Sequence, residues 1–374
     1  MANARWREIY DRLREQIVSG ELPPGSSLPT DQALAEQMGV SRLTAHRALY
    51  ELQRSGYVAR RRRAGTVVVS TKGESRATVS AVFFNVANPF ESALLSALVA
   101  GLGDEVQLAV RDTRHHPERE LEIIQRQARE TDAIVLFPTC DPENSSELVA
   151  LCESGFPLVC IDRFPHEVPC DAVLTDNYGA TRRGLEMLLE MGHDRIAHFT
   201  DLEPHVASTT DRLRAYQDAM AEAGCDTSGL LRTFPYLTPD THREYEQVVQ
   251  MVHDALFALL HAPNPPTAVF CLRELYAVAT VQACEMLGVR IAQDLEVLAF
   301  FDRPSVMMRN PEKINRIVQD IEEIGQIAAR RVLARLAGEP LSPERILVPA
   351  KVVPRAGLDG LPGLHGKVAS RTER

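Results

Sequence analysis

The chain has 374 residues, 45% hydrophobic and 25% charged, which suits two or three packed domains and excludes a disordered or fibrous chain. No apolar run is long enough to span a bilayer, and the start MANARWREIYDRLREQ lacks a signal peptide's apolar core, so a soluble cytoplasmic protein is expected. The net charge of −10 does not exclude nucleic acid, because residues 1–76 carry 13 Lys and Arg against 8 Asp and Glu, and the remainder 28 against 43. A basic module on an acidic body keeps phosphate attraction local to the module.

In chain order, residues 6–19 place Ile9, Leu13 and Ile17 at helical spacing and end in the turn-rich run SGELPPGSSLP. A short helix is predicted over 31–37, then a turn through Met38, Gly39 and Val40. A second helix starts after Ser41, whose hydroxyl suits an N-cap. Ala45, Leu49 and Leu52 line one side of it, while Leu43, His46, Arg47 and Tyr50 fall on the other, with Arg42 and Thr44 near its start. Helix, Gly-containing turn and polar second helix describe a helix-turn-helix; an ordinary helical hairpin with a solvated basic face is the alternative. The run SGYVARRRRAGTVVV then predicts a hairpin, or wing, around a turn of four arginines.

Residues 70–77 are polar and aperiodic, which predicts a linker. From 78 onward fully apolar runs alternate with amphipathic ones. Strands are expected at TVSAVFF, VQLAV, AIVLF, LVCID, AVLT, IAHF, LLRTF, TAVFC and EVLAFF. Helices are expected over 94–102, 118–129, 145–154, 178–191, 212–223, 244–260 and 275–287. This alternation predicts βαβ units and parallel sheets, too many for one sheet, hence two lobes. Ligands of such sheets lie beyond the carboxyl ends of the strands. The seven cysteines (Cys140, Cys152, Cys160, Cys170, Cys225, Cys271 and Cys284) are odd in number without a C-x-x-C pair, so reduced thiols are expected.

The motifs SGELPPGSSLPT, LAEQMGVSRLTAHRAL, L..SGYV and GTVV resemble the gluconate-repressor (GntR) family of bacterial regulators over the first seventy residues. The resemblance implies contact with operator DNA by Gln32, Ser41, Arg42, Thr44, His46 and Arg47, and by the wing at Arg62, Arg63 and Gly65. The family often has Arg at the position of His46 and Gly at that of Arg63. From 78 to about 355, the ordered motifs NPFESALLSAL, ETDAIVLFP, PLVCIDR, VLTDNYGATRRGLEMLLEMGHDRIAHF, DRLRAY, PTAVFC and INRIVQDIEEIGQIAARRVL are similar to the lactose-repressor (LacI) effector domain. That domain is of the periplasmic-binding-protein type, with two Rossmann-like lobes hinged around a small ligand. The combination looks like the arabinose-repressor arrangement.

The fold class is then multidomain α/β: a winged helix-turn-helix at 1–70, a linker at 71–77, a two-lobed effector-binding and dimerisation domain at 78–356 and a flexible tail at 357–374. The implied effector cleft comprises Asn88, Phe90, Asp162, Arg163, Ser208, Arg212, Arg273, Phe301 and Gln319. The family's GYDD or GFDD strand end reads LAFFDRP here, putting Phe301 where an Asp is usual, and the usual Asn-Asp pair reads Arg273-Glu274. These changes predict an anionic or aromatic ligand, such as a sugar acid or sugar phosphate. The alternative is a neutral sugar, if Arg273 is neutralised by Glu274 or Asp162.

Catalysis and cofactors find little purchase. His115, His116 and Glu118 lack a second ligand cluster, so a solvated loop is expected there and no metal. A pyridoxal-phosphate aminotransferase body is the rival reading, but the only lysines are Lys72, Lys313, Lys351 and Lys367, none after a core strand. The expected protein is a homodimeric, effector-controlled repressor that binds a palindromic operator and needs no cofactor.

Overall fold

The computed structural model describes residues 2–61, 65–71, 76–201, 203, 205–236, 242–302, 311–339 and 341–356. Its backbone divides near Ala77 into two compact units. The head contains α1 (Ala2–Val18), α2 (Asp31–Met38), α3 (Arg42–Arg54), β1 (Val58–Arg61) and β2 (Gly65–Val68). Thr30 caps α2 by accepting from the Ala33 N–H at 3.2 Å, and Ser41 caps α3 by accepting from Thr44 N–H at 3.2 Å. Between them Gly39 is left-handed at φ 60°, which lets its N–H reach the last carbonyls of α2 and turns the chain within three residues. Ile9, Leu13 and Ile17 of α1 bury against Ala45, Ala48, Leu49 and Leu52 of α3, one contiguous apolar core. β1 and β2 pair antiparallel from Val58↔Val68 to Arg61↔Gly65. The Pro-rich run joins them through a bridge of Ser27 to Val67 and the bond from Leu28 N–H to Thr66 O.

The body opens with β3 (Ala77–Phe83), α4 (Pro89–Leu102), β4 (Val106–Asp112), α5 (Pro117–Glu130), β5 (Ala133–Leu136), α6 (Pro142–Glu153), β6 (Leu158–Ile161) and β7 (Asp171–Thr175). Next come α7 (Asn177–Glu190), β8 (Ile196–Asp201), α8 (Ala207–Glu222), β9 (Leu231–Phe234), α9 (His242–Leu260), β10 (Ala268–Cys271), α10 (Glu274–Leu287) and β11 (Glu296–Phe300). The last elements are β12 (Asn315–Val318), α11 (Ile321–Leu336), β13 (Arg345–Val348) and β14 (Lys351–Val353). They form two six-stranded sheets, β13-β7-β6-β5-β3-β4 in the first lobe and β14-β12-β11-β10-β8-β9 in the second. β14 runs antiparallel to β12, while β5, β6, β7, β10 and β11 have parallel neighbours. Both lobes are thus the parallel, doubly covered sheets that the apolar runs predict.

α4, α5 and α6 begin at proline in the first helical position, earlier than the periodicity places them. Proline costs no hydrogen bond there, and Asn88 and Asp141 cap two of these helices.

The backbone passes between the lobes three times: between β7 and α7, between β12 and α11, and between β13 and β14. The crossings are tied together, because Asp176 N–H donates to Val348 O at 2.8 Å and Thr175 Oγ1 lies 2.6 Å from Gln319 Oε1. After its crossing α11 packs on α4 at backbone contact. A Cβ at Gly325 would lie 2.8 Å from the Ala97 carbonyl carbon, so only glycine permits this approach.

Candidate functional site

In the head, Ser41, Arg42 and Leu43 are exposed at the start of α3, with Thr44 partly so. Gln32 is exposed on α2 and donates to Glu36 at 3.1 Å. The His46 side chain is 43% exposed and also has partners within the head. Its Nδ1 lies 2.9 Å from one carboxylate oxygen of Asp31, and Arg60 of the wing donates to the other oxygen at 2.9 Å. Arg47 lays its guanidinium 4.7 Å from the centre of the Trp6 ring, tying α3 to α1. His46 and Arg47 thus each have an intramolecular partner while keeping side-chain surface open to solvent. Gly65 opens β2 at φ 73°, where an L side chain is strained. Arg62 and Arg63 lie outside the described residues.

In the body, the strand ends of the two lobes face each other across a cleft. Asp162 and Arg163 follow β6, and Asp162 takes the left-handed conformation at φ 62°. Arg163 lies over Phe84 at 4.7 Å and reaches Glu203, beyond β8 in the other lobe, at 3.7 Å. Burial works against that guanidinium, but Tyr236, Glu203 and Asp162 outweigh it and raise its pKa. Burial also pushes up the carboxyls of Asp162 and Glu203, with Arg163 opposing both shifts.

Arg212 projects from α8, 8% exposed, and donates to Asn177 Oδ1 at 2.8 Å and Leu272 O at 2.7 Å, its guanidinium 3.4 Å from the Phe300 ring centre. Burial lowers it to about 10, while Asp162, Asp302 and Asp201 pull the other way. Arg273 pairs with Asp201 at 2.9 Å and lies over Tyr236. Asp201 is thus one acidic partner of Arg273, beside the alternative of Glu274 or Asp162 that the sequence raised. Gln319 is one of the crossing residues: its N–H and Nε2 donate to Asp302 at 2.7 and 2.9 Å. Asn88 caps α4, Phe90 meets Phe137 edge-on at 6.4 Å, and Ser208 sits partly buried in the first turn of α8.

Phe301 needs correction. It is 0% exposed and belongs to the core beneath α9 and α10. Asp302 instead stands at the strand end, within the field of Arg212 and Asp162, and burial raises it to about 6. Strand neighbours point to opposite faces, so the shift from Phe301 to Asp302 moves a carboxylate back into the site. Sequence reading also missed Glu91. It is 4% exposed, accepts from Asn85 N–H at 2.8 Å, and is raised by burial to about 7. Its only signal was a carboxylate in the first turn of an otherwise apolar helix.

His116, at the N-cap of α5, and Glu118, in its first turn, are exposed at 62% and 77% and 3.5 Å apart, a solvated pair at a helix start where a loop was expected. Among the described residues, no cluster of three His, Cys, Asp or Glu is arranged for a metal, and the described lysines Lys313 and Lys351 are exposed.

Residues 6–68 match the bacterial regulatory proteins of the gntR family, and residues 185–357 match the periplasmic binding protein-like domain. The HTH-type transcriptional regulator KdgR of Bacillus subtilis (strain 168) is 28% identical over 280 residues, 74% of this chain and 79% of that protein. The arabinose metabolism transcriptional repressor of Geobacillus stearothermophilus is 22% identical over 307 residues, 80% of this chain and 82% of that protein. The solved complex of the transcriptional regulator CelR with cellobiose superposes with a TM-score of 0.63 at 23% identity, over 88% of this chain and 99% of that one. The aminotransferase reading falls, and the chain is a transcription regulator that joins a gntR-family DNA-binding head to a periplasmic binding protein-like body.

Proposed function

We propose that the chain is a cytoplasmic, non-enzymatic repressor that binds a palindromic operator as a homodimer and is released or tightened by a small effector held between the lobes. Two-fold protein symmetry would map onto two half-sites. Closure of the cleft would shift operator affinity by as much as the effector discriminates between open and closed states.

The observation that carries the effector class is the composition of the cleft. Glu91, Asp162, Asp201, Glu203 and Asp302 surround Arg163, Arg212 and Arg273, so carboxylates outnumber guanidiniums. Arg273 and Arg163 already face acidic partners. An added anion would have to compete with these carboxyl groups for the arginines, whereas hydroxyl groups donate to Asp162 and Asp302 and accept from Arg212. Phe90, partly exposed and braced edge-on by the buried Phe137, offers an apolar surface for a sugar ring. This favours a neutral, hydroxyl-rich sugar or sugar derivative over the sugar acid that Arg273 first suggests.

Calorimetry on the full chain with matched sugars and sugar acids tests it. The neutral member should bind more tightly, and Asp302→Asn should weaken it at least tenfold. Tighter binding of the acid would overturn the assignment.

A further inference from the structure

Leu43 is 78% exposed, the most exposed large apolar side chain among the described residues. It stands second in α3, directly after Arg42, while Ala45, Ala48, Leu49 and Leu52 take the opposite, buried side. Tyr50, two turns on and 46% exposed, continues the same face. A leucine left in water at the tip of a helix gains nothing for folding. Its polar neighbours on this face, His46 and Arg47, are also engaged within the head, by Asp31 and Trp6. The occupant of this face is set by charge: the head carries an excess of Lys and Arg, the rest of the chain an excess of acid. In the major groove the one apolar feature that distinguishes base pairs is the thymine C5-methyl.

Resting on the DNA-binding role proposed for the head, we infer that Leu43 contacts a thymine methyl in each operator half-site and so sets part of the sequence choice. Arg42 and Thr44 would supply the flanking polar contacts. The Ser41 cap fixes the first turn, so the three side chains present a defined order along the groove.

The test uses the full-length protein and a duplex selected by it from a random pool. Single thymines of that duplex are replaced by deoxyuridine, which removes only the methyl. Wild type should lose about three- to fourfold in affinity at one thymine per half-site, the value of one apolar carbon removed from water. Leu43→Ala should bind the parent duplex about as wild type binds the deoxyuridine form, and should be indifferent to the same replacement. Leu43→Met, which keeps an apolar tip, should retain the sensitivity. Because the side chain is exposed, all three proteins should melt alike. If the pool yields no preferred duplex, the DNA-binding role itself fails. If it yields one and wild type ignores every methyl, or Leu43→Ala stays fully sensitive, the assignment of Leu43 alone is overturned.

Discussion

Arg163 and Glu203 meet from opposite lobes with Nη1 and Oε1 3.7 Å apart, both side chains largely withdrawn from water. The contact is long for a salt bridge, but it joins the two lobes and so favours their approach. Replacing Glu203 with Gln should remove about 1–2 kcal/mol of that bias. The ligand-free protein should then show a larger radius of gyration by small-angle scattering, and effector affinity should fall about five- to thirtyfold. An unchanged radius together with unchanged affinity would make the pair incidental to closure.

Glu91 gives a pH dependence of definite sign. Its folded pKa is about 7 against an ordinary 4.5. Below the ordinary value the carboxyl is protonated in both states, and stability is complete. Between the two values the unfolded chain releases a proton that the folded chain retains, so stability falls as pH rises, by up to about 3 kcal/mol in total. Glu91→Gln should therefore melt above wild type at pH 8 and lose that advantage near pH 4. Parallel melting curves for the two proteins would remove Glu91 from this role.

Asp171 acts in the opposite sense. It is buried at the start of β7, where burial alone would raise its carboxyl, but bonds from Arg335, Arg331 and the Glu344 N–H hold it below the ordinary carboxylate range. Its contribution is present above the ordinary pKa and is lost as pH falls through the depressed one. Asp171→Ala leaves two guanidiniums facing the first lobe without their carboxylate, at a cost of about 3–5 kcal/mol. Urea unfolding at neutral pH measures it; a loss under about 1 kcal/mol would mean that Glu344 takes over the pairing.

In the head, arginines of similar sequence context should differ in what they do. Arg42→Ala should weaken operator binding by about 1–3 kcal/mol at fixed salt, as expected where a guanidinium reaches a base edge. Arg61 is exposed, and Arg61→Gln should lower the slope of log affinity against log salt by up to about 0.9. Arg60→Gln breaks the contact with Asp31 and should lower the melting temperature of the head with a smaller change in slope. Equal slopes for both wing variants would show that the pairing of Arg60 does not persist.

How far the residues themselves announced this arrangement varies along the chain. Strands such as Val159–Ile161 are legible because a parallel strand buried on both faces is apolar throughout, and the helix-turn-helix is legible because its caps and glycine have fixed chemistry. β12, β13 and β14 were not separately placed: at three or four residues each, they carry no periodicity to detect. The side of the strand end at LAFFDRP was misjudged for a related reason. One residue decides which face a side chain takes, and only the paired strand reveals that Phe301 turns inward and Asp302 into the cleft. The engagement of His46 was hidden because Asp31 and Arg60 are 15 and 14 residues away in the chain.

The three passages of backbone between the lobes also bear on how such a molecule can be assembled from parts. The first lobe gathers its sheet from 77–175 and 345–348 and takes α11 from between β12 and β14 of the second, so neither lobe is a continuous stretch of gene. A single recombination inside the body would strip one sheet of an edge strand and of the helix that lies against α4. The head, by contrast, holds its core within its first seventy residues and joins the rest through one polar segment. Heads can therefore be exchanged by one crossover upstream of Ala77, while the two lobes are inherited together.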